Sequence, residues 1–422
     1  MKRSNVTALA LWPLLMSGGA GADDPFPSIR FDFLADARVT LADGEPSWFK
    51  DWLGKGRYGG THWAGNDVEG LRLAEASILA KAEISWDLSG FVHAKFDHEQ
   101  GKPLDLVEAY LEYKPAPRSA ISYEGRLGLM FPHISRENVG MAWTSPYTIT
   151  PSAINSWVGE EIRALALEGK AKYRSGAHSL SLTAALFGFN DPAGTLLAFR
   201  GWALNDYKVG AFSQLPLANL PSIGADSDFL NKQPLWVHPV NEIDGRPGYY
   251  ASLDWDYAKR LKAGVFYYDN RGDPEELKRK QYGWDTRFWN FYAEAEPLRG
   301  MKLISQYMTG STKMGRQRYR GMYPVDVDFE AVFVLLSQKF ERNRVSVRYD
   351  WFATDDNTFV EEDNNNEWGH AWTVALSREF RKHDQLILEY LQLDSWRPAR
   401  KTIGYAADQE QSIIQISYRL RF

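Results

Sequence analysis

A chain of 422 residues with no cysteine, 44% hydrophobic and 14% aromatic residues and a formal charge of −5 has material for a large buried surface or a big closed sheet. It is neither a disordered tail nor a disulfide-stapled scaffold. Its 49 Lys plus Arg against 54 Asp plus Glu argue against a nucleic-acid partner held by phosphate neutralisation, and a mean hydropathy of −0.42 excludes a polytopic helical membrane protein while leaving open a membrane barrel, whose strands alternate and average polar.

The chain begins with basic Lys2 and Arg3, an apolar stretch from Val6 to Met16 and the small residues Ala20-Gly21-Ala22. That order predicts a secretory signal peptide over 1–22, with 23–422 as a single exported domain. The apolar stretch is about half the roughly 20 residues a membrane anchor needs. Export without cysteine means that no disulfide supports folding.

From residue 23 onward one pattern recurs: a run of alternating apolar and polar residues, a short turn, another run, then a longer polar segment. The last run shows it best, with Ile414, Ile416, Tyr418, Leu420 and Phe422 on one face and Gln415, Ser417, Arg419 and Arg421 on the other. Sixteen such runs begin near residues 29, 70, 88, 104, 119, 160, 177, 246, 260, 283, 299, 326, 343, 368, 384 and 410. Seven connections are short and polar, from Asp87–Gly90 to Phe380–Asp384. The other eight fall near 43–69, 99–103, 132–159, 191–245, 270–282, 311–325, 355–367 and 395–409 and are mostly longer, rich in Asp, Asn, Gly and Pro.

Strict alternation of short and long connections places both chain ends on one side of an all-β, antiparallel transmembrane barrel of about sixteen strands, with short periplasmic turns and long extracellular loops. In hydrocarbon every backbone donor and acceptor needs a partner, so the sheet must close and the run from Ile29 must pair with the last. Strands of a soluble sandwich or propeller also alternate, but they average about 5 to 6 residues, half the length of these runs. Trp86, Tyr113, Tyr173, Trp255, Tyr257, Tyr267, Tyr349 and Trp351 cluster near run ends, as interfacial girdles do.

With its terminal Phe422, the aromatic or aliphatic residues at alternate positions before it, and the export signal, the chain resembles bacterial outer-membrane porins. The resemblance implies several expectations. Tyr418, Leu420 and Phe422 would form the signal read by the barrel-assembly machinery. The barrel would sit in the outer membrane of a Gram-negative bacterium among lipid and lipopolysaccharide, with a homotrimer possible. The third outer loop, 132–159, would fold inward to narrow the pore, although it lacks the Pro-Glu-Phe-Gly-Gly run of enteric porins, so no constriction residue is carried over. The long segment 191–245, whose GTLLAFRGWAL stretch is too apolar to stand free in water, is the competing plug or a subunit contact.

Alternation also assigns a lumen face carrying both signs of charge. The candidate wall residues for the pore are Lys95, Glu108, Arg126, Asp254, Arg344, Arg348 and Arg419, and the candidate constriction residues are Arg136, Glu137, Trp143 and Tyr147 on the third loop. A sixteen-stranded barrel is too wide for its side chains to fill, so charge there meets water and can orient solutes. Lys278-Arg279-Lys280 and the row Lys313, Arg316, Arg318, Arg320 could meet lipopolysaccharide phosphates. The oxygen-rich stretch Asp355, Asp356, Glu361, Glu362, Asp363, Asn364 lacks the spacing of a dedicated calcium loop. None of the eight histidines sits in a zinc-protease motif and no serine in a nucleophile elbow. Glu160-Glu161 read as the opening of a strand beneath a loop. The reading is therefore a non-enzymatic porin for small hydrophilic solutes or ions, without cofactor, metal or nucleic acid. A plugged barrel that scaffolds or exports a partner is the alternative, and a barrel-type lipid or glycan hydrolase a more distant one.

Overall fold

The computed structural model describes residues 26–60, 66–317, 321–358 and 363–422, with backbone alone over 66–69. The export signal at 1–22 and Arg318, Arg320, Glu361 and Glu362 lie outside the described residues.

The described residues form one closed antiparallel barrel of sixteen strands in sequence order. These are β1 Ser28–Asp43, β2 Asn66–Glu83, β3 Leu88–Phe96, β4 Leu104–Tyr113, β5 Ile121–Met130, β6 Ala164–Ser175, β7 His178–Gly188 and β8 Gly248–Tyr257. They continue with β9 Leu261–Asp269, β10 Asp285–Ala295, β11 Met301–Met314, β12 Val325–Phe340, β13 Asn343–Asp356, β14 Glu367–Arg381, β15 Asp384–Trp396 and β16 Asp408–Arg421. Closure runs through β1 and β16, from Leu34 opposite Arg421 to Ala42 opposite Ile413. Phe422 completes it, exchanging two 3.0 Å backbone bonds with Phe33. Among the described residues no helix is long and apolar enough to cross a membrane. In β16 the outward Ile414, Ile416 and Tyr418 are exposed while the inward Gln415, Ser417 and Arg419 are buried, the period-two division that a sheet with one oily face imposes.

The wall is uneven. Strands β3, β4 and β5 have 9, 10 and 10 residues, against 16, 14 and 15 for β12, β13 and β14. β4 pairs with β5 only from Ala109 to Tyr113. Above that point its free edge takes a partner from a loop: Ala211 N–H donates to Leu106 O at 2.7 Å.

Among the described residues two α-helices in loops break the all-strand pattern. α1, Ala153–Glu161, is capped by Ser152, whose hydroxyl accepts from Asn155 N–H. Glu160 and Glu161 therefore close a helix instead of opening a strand; the cap at Ser152 and the apolar Ile154, Trp157 and Val158 on the buried helix outweigh the strand-like sequence that follows. α2, Thr195–Phe199, follows Gly194 at φ 105°. A Cβ at Gly194 would lie 2.1 Å from Thr312 Oγ1, so this close approach to β11 requires glycine.

Candidate functional site

Two loops fold into the long-loop half of the lumen. The third loop, which carries α1, and the fourth, which carries α2, both lie inside the barrel, and residues 191–211 are buried almost without a break. They rest on an apolar inner wall. Trp157 of α1 meets Phe288 and Phe329 edge-on at 5.3 Å, and Trp202 meets Phe329 at 6.0 Å. Phe187, Tyr268 and Phe288 continue that surface in stacked contact. A lumen face with so many rings is covered because leaving it wet would forgo the stabilisation of burying each ring.

The fourth loop crosses from wall to wall. On one side Thr286 Oγ1 of β10 donates to Ala193 O at 2.6 Å, and Trp202 gives its indole N–H to Ala353 O of β13 at 2.9 Å. Glu367 of β14 receives Trp202 N–H at 3.0 Å, Lys55 Nζ at 2.5 Å and Arg397 Nη1 at 3.0 Å. Mid-lumen, Arg200 grips Glu160 of α1 through both carboxylate oxygens at 2.8 and 2.7 Å. On the far side Asp206 takes Arg38 of β1 at 2.6 Å and Arg57 at 3.3 Å. Lys208 Nζ reaches Glu75 of β2 at 2.5 Å, and Lys208 O accepts Lys95 Nζ of β3 at 2.6 Å. Such enclosed pairs stabilise little over an apolar core, but removing one partner strands the other, which costs about 3–5 kcal/mol.

Two loop carboxyls titrate in opposite senses. Burial alone would raise Asp206, but Arg38 and Arg57 overcome it and hold the group well below the usual carboxylate range. Its contribution is complete above the unfolded value of about 4 and is lost only as pH falls through the lower folded value. Burial pushes Glu161 up to about 7 despite hydrogen bonds from Trp157 Nε1, Leu196 N and Gly194 N. Its contribution is present below the unfolded value of about 4 and is lost as pH rises through about 7. Raising pH from 5 to 8 is therefore expected to lower the resistance of the folded barrel to urea, with Glu161→Gln flattening the profile. Resistance that stays pH-independent in the parent chain over that range would contradict this.

Most of the loop candidates named from sequence meet a wall candidate. Arg348 of β13 reaches Asp350 at 2.7 Å, Glu137 at 3.2 Å, Thr150 O at 2.6 Å and Pro151 O at 3.0 Å. Glu137 in turn receives Ser152 N and Asn155 Nδ2. Arg136 pairs with Asp254 at 2.6 Å and lies 3.4 Å from the Tyr292 ring centroid, while Tyr292 gives its hydroxyl to the same Asp254 oxygen at 2.6 Å. Arg344 stands over the Tyr147 ring at 5.1 Å and donates to Ser337 Oγ. Arg419 bonds Asp36 at 2.8 Å and Ser145 O at 3.3 Å. Arg126 holds Glu168 at 2.6 Å, Glu108 accepts Phe131 N–H, and Trp143 stacks on Phe131 at 4.4 Å. Lys95, Glu137, Arg348 and Arg419 are thus buried beneath the loops as anchors, whereas Arg136, Asp254 and Arg344 keep part of their surface toward the open, short-turn half.

At the closing strand Tyr418 donates to Asp384 at 3.0 Å, Leu420 lies opposite Ala35 and Phe422 is exposed against the His383 ring. Ser77 bridges His93 and Glu75 at 3.0 and 2.6 Å, but Ser77 and His93 are buried in the wall. Asp191, Glu242 and Asp244 bring carboxylate oxygens within 4.8 Å of one another. All three accept backbone N–H groups, from Ile243, Phe189 and Arg246 among others, which suffices to account for their clustering. The anchors missed in the sequence are Lys55, Arg200, Asp206, Lys208, Glu367 and Arg397. The one signal for them was the arginine set inside the apolar GTLLAFRGWAL stretch.

The sequence matches no family model and no curated protein. Solved structures share the architecture at low identity. The outer membrane channel DcaP of Acinetobacter baumannii superposes with a TM-score of 0.57 at 11% identity, covering 96% of this chain and 100% of that one. The anion-selective porin from Comamonas acidovorans gives 0.51 at 13%, covering 94% and 99%. An outer membrane protein of Vibrio cholerae, OmpT lacking its loop L8, gives 0.51 at 10%, covering 93% and 99%. What these likenesses establish is the fold, a porin-like sixteen-stranded barrel.

Proposed function

We propose that this chain is an outer-membrane channel through which small hydrophilic solutes diffuse passively and with weak selectivity, along a path narrowed by the third and fourth loops. The observation that carries the reading is the contrast between the two halves of one lumen. The long-loop half is crossed by segments tied to the wall through buried ion pairs, while the short-turn half keeps charges of both signs partly exposed, among them Arg136 with Asp254 and Lys262 with Glu294 at 3.0 Å. An exposed mixed-sign lining suits water and polar solutes and would be costly against lipid. The periplasmic placement of the short turns, assembly through the closing strand and a trimeric state belong to the same proposal.

The wall-to-wall crossing of the fourth loop also favours a second reading, a barrel plugged at rest that serves a partner as scaffold or conduit. Liposome swelling separates the two. With residues 23–422 reconstituted, isotonic solutions of small sugars and amino acids should enter at rates that fall steeply with solute size. Vesicles that contain folded barrel and never swell would overturn the channel reading in favour of the plugged one.

A further inference from the structure

Among the described residues Lys170 and Lys172 of β6 are in no ion pair, although Glu124 faces Lys170 across the sheet and Asp256 attracts Lys172. Arg126 occupies Glu168, one step along the same face. Glu124, directly opposite Lys170 on β5, is in an ion pair with Lys114 at 3.1 Å. On the β7 side the register sets Thr183 beside Lys170 and Ser181 beside Lys172. Among the described residues neither ammonium and neither hydroxyl has a hydrogen-bond or ion-pair partner, although both lysines are half-buried and Ser181 and Thr183 are buried. All four line a cavity of about 280 Å³, whose lining also includes His133 and Arg136 of the third loop.

The other charges of this cavity are already committed. Asp254 is held by Arg136 and Tyr292, and Lys262 by Glu294. Asp256 alone offers an unpaired carboxylate, and one of its oxygens accepts Lys259 N–H. The balance left for a ligand is two ammoniums and two hydroxyl donors against one carboxylate. A half-buried ammonium with no carboxylate at ion-pair distance carries a desolvation cost that a bound anion relieves, and the short hydroxyls opposite the two lysines offer the extra donors that an anion with several acceptor oxygens can use.

We infer that Lys170, Lys172, Ser181 and Thr183 form a binding station for a small oxyanion, a carboxylate or a phosphate, on the lumen wall beside the third loop. The inference rests on the channel reading for its place in transport, since it names the class of solute that would pause there. Binding itself requires only the folded barrel.

The test is calorimetric titration of the refolded 23–422 barrel in detergent at low salt, with inorganic phosphate in one arm and acetate in the other. Saturable binding is expected in at least one arm, and the tighter arm identifies the anion. Lys170→Gln/Lys172→Gln should weaken it at least tenfold, and Ser181→Ala/Thr183→Ala by a smaller factor. Lys382→Gln, at an exposed turn position away from this cavity, should bind as the parent does. Heat-modifiable migration in gels confirms that each variant is folded. Absence of saturable binding to the parent barrel, or parent-like binding by the folded double-lysine variant, would overturn the inference. A barrel that binds phosphate yet fails the swelling assay would overturn the channel and leave the station standing.

Discussion

Replacing Arg348 with alanine is expected to lower the stability of the folded barrel by about 3–5 kcal/mol and to release the third loop from the wall. Arg348 has no exposed surface, and its guanidinium is the common partner of Asp350, Glu137, Thr148, Thr373 and the carbonyls of Thr150 and Pro151. Truncation would leave Asp350 and Glu137 as two enclosed carboxylates about one former cation, with two loop carbonyls unpaired as well. The consequence reaches α1 directly, because Glu137 also holds Ser152 N–H and Asn155 Nδ2 at the start of that helix. Urea titration followed by gel migration would measure the loss. Arg348→Lys should recover only part of it, since a point-charge ammonium cannot reproduce a planar fork serving several acceptors. A variant with alanine at 348 as resistant to urea as the parent would show that the third loop is held by something other than this network.

The second large effect concerns the fourth loop. Exchanging Leu196–Lys208 for glycine and serine residues of the same number keeps the chain long enough to cross the lumen. It removes Trp202 from its place on Phe329, Arg200 from Glu160, Asp206 from Arg38 and Arg57 and Lys208 from Glu75. Single-channel conductance should rise several-fold, because the segment that crosses the long-loop half would lose its contacts with both walls. The single change Asp206→Asn should give a smaller rise in the same direction: it frees the far end alone, where two arginines converge on one carboxylate. Unchanged conductance in the exchanged chain would locate the narrowest point in the third loop alone.

The strands were readable because hydrocarbon outside and water or protein inside impose a period of two. Every strand start falls within four residues of the alternating run that announced it, from Ser28 to Asp408. Parity placed Asp254, Arg348 and Arg344 on one face of their strands, but it says nothing of Arg136, Glu137 and Tyr147, the third-loop residues that meet them. What parity cannot say is which inward charges meet water. Lys95 and Arg348 read like pore-lining residues, yet they lie under loops whose own anchors come from far away in sequence. Arg38 and Asp206 are 168 residues apart, and Lys55 and Glu367 are 312 apart. Alternation within one strand carries no information about contacts across the lumen. The helix ending at Glu161 was missed for a related reason: it is buried on every side, so it lacks the one-sided apolar stripe that marks a surface helix.

The most direct test of the whole account is the current through single molecules of the 23–422 barrel in a planar bilayer under a salt gradient. The account predicts discrete steps that are small for a sixteen-stranded barrel, a small reversal potential, and larger steps once Leu196–Lys208 is exchanged. A folded, heat-modifiable barrel that gives no steps either as the parent or with that segment exchanged would contradict it.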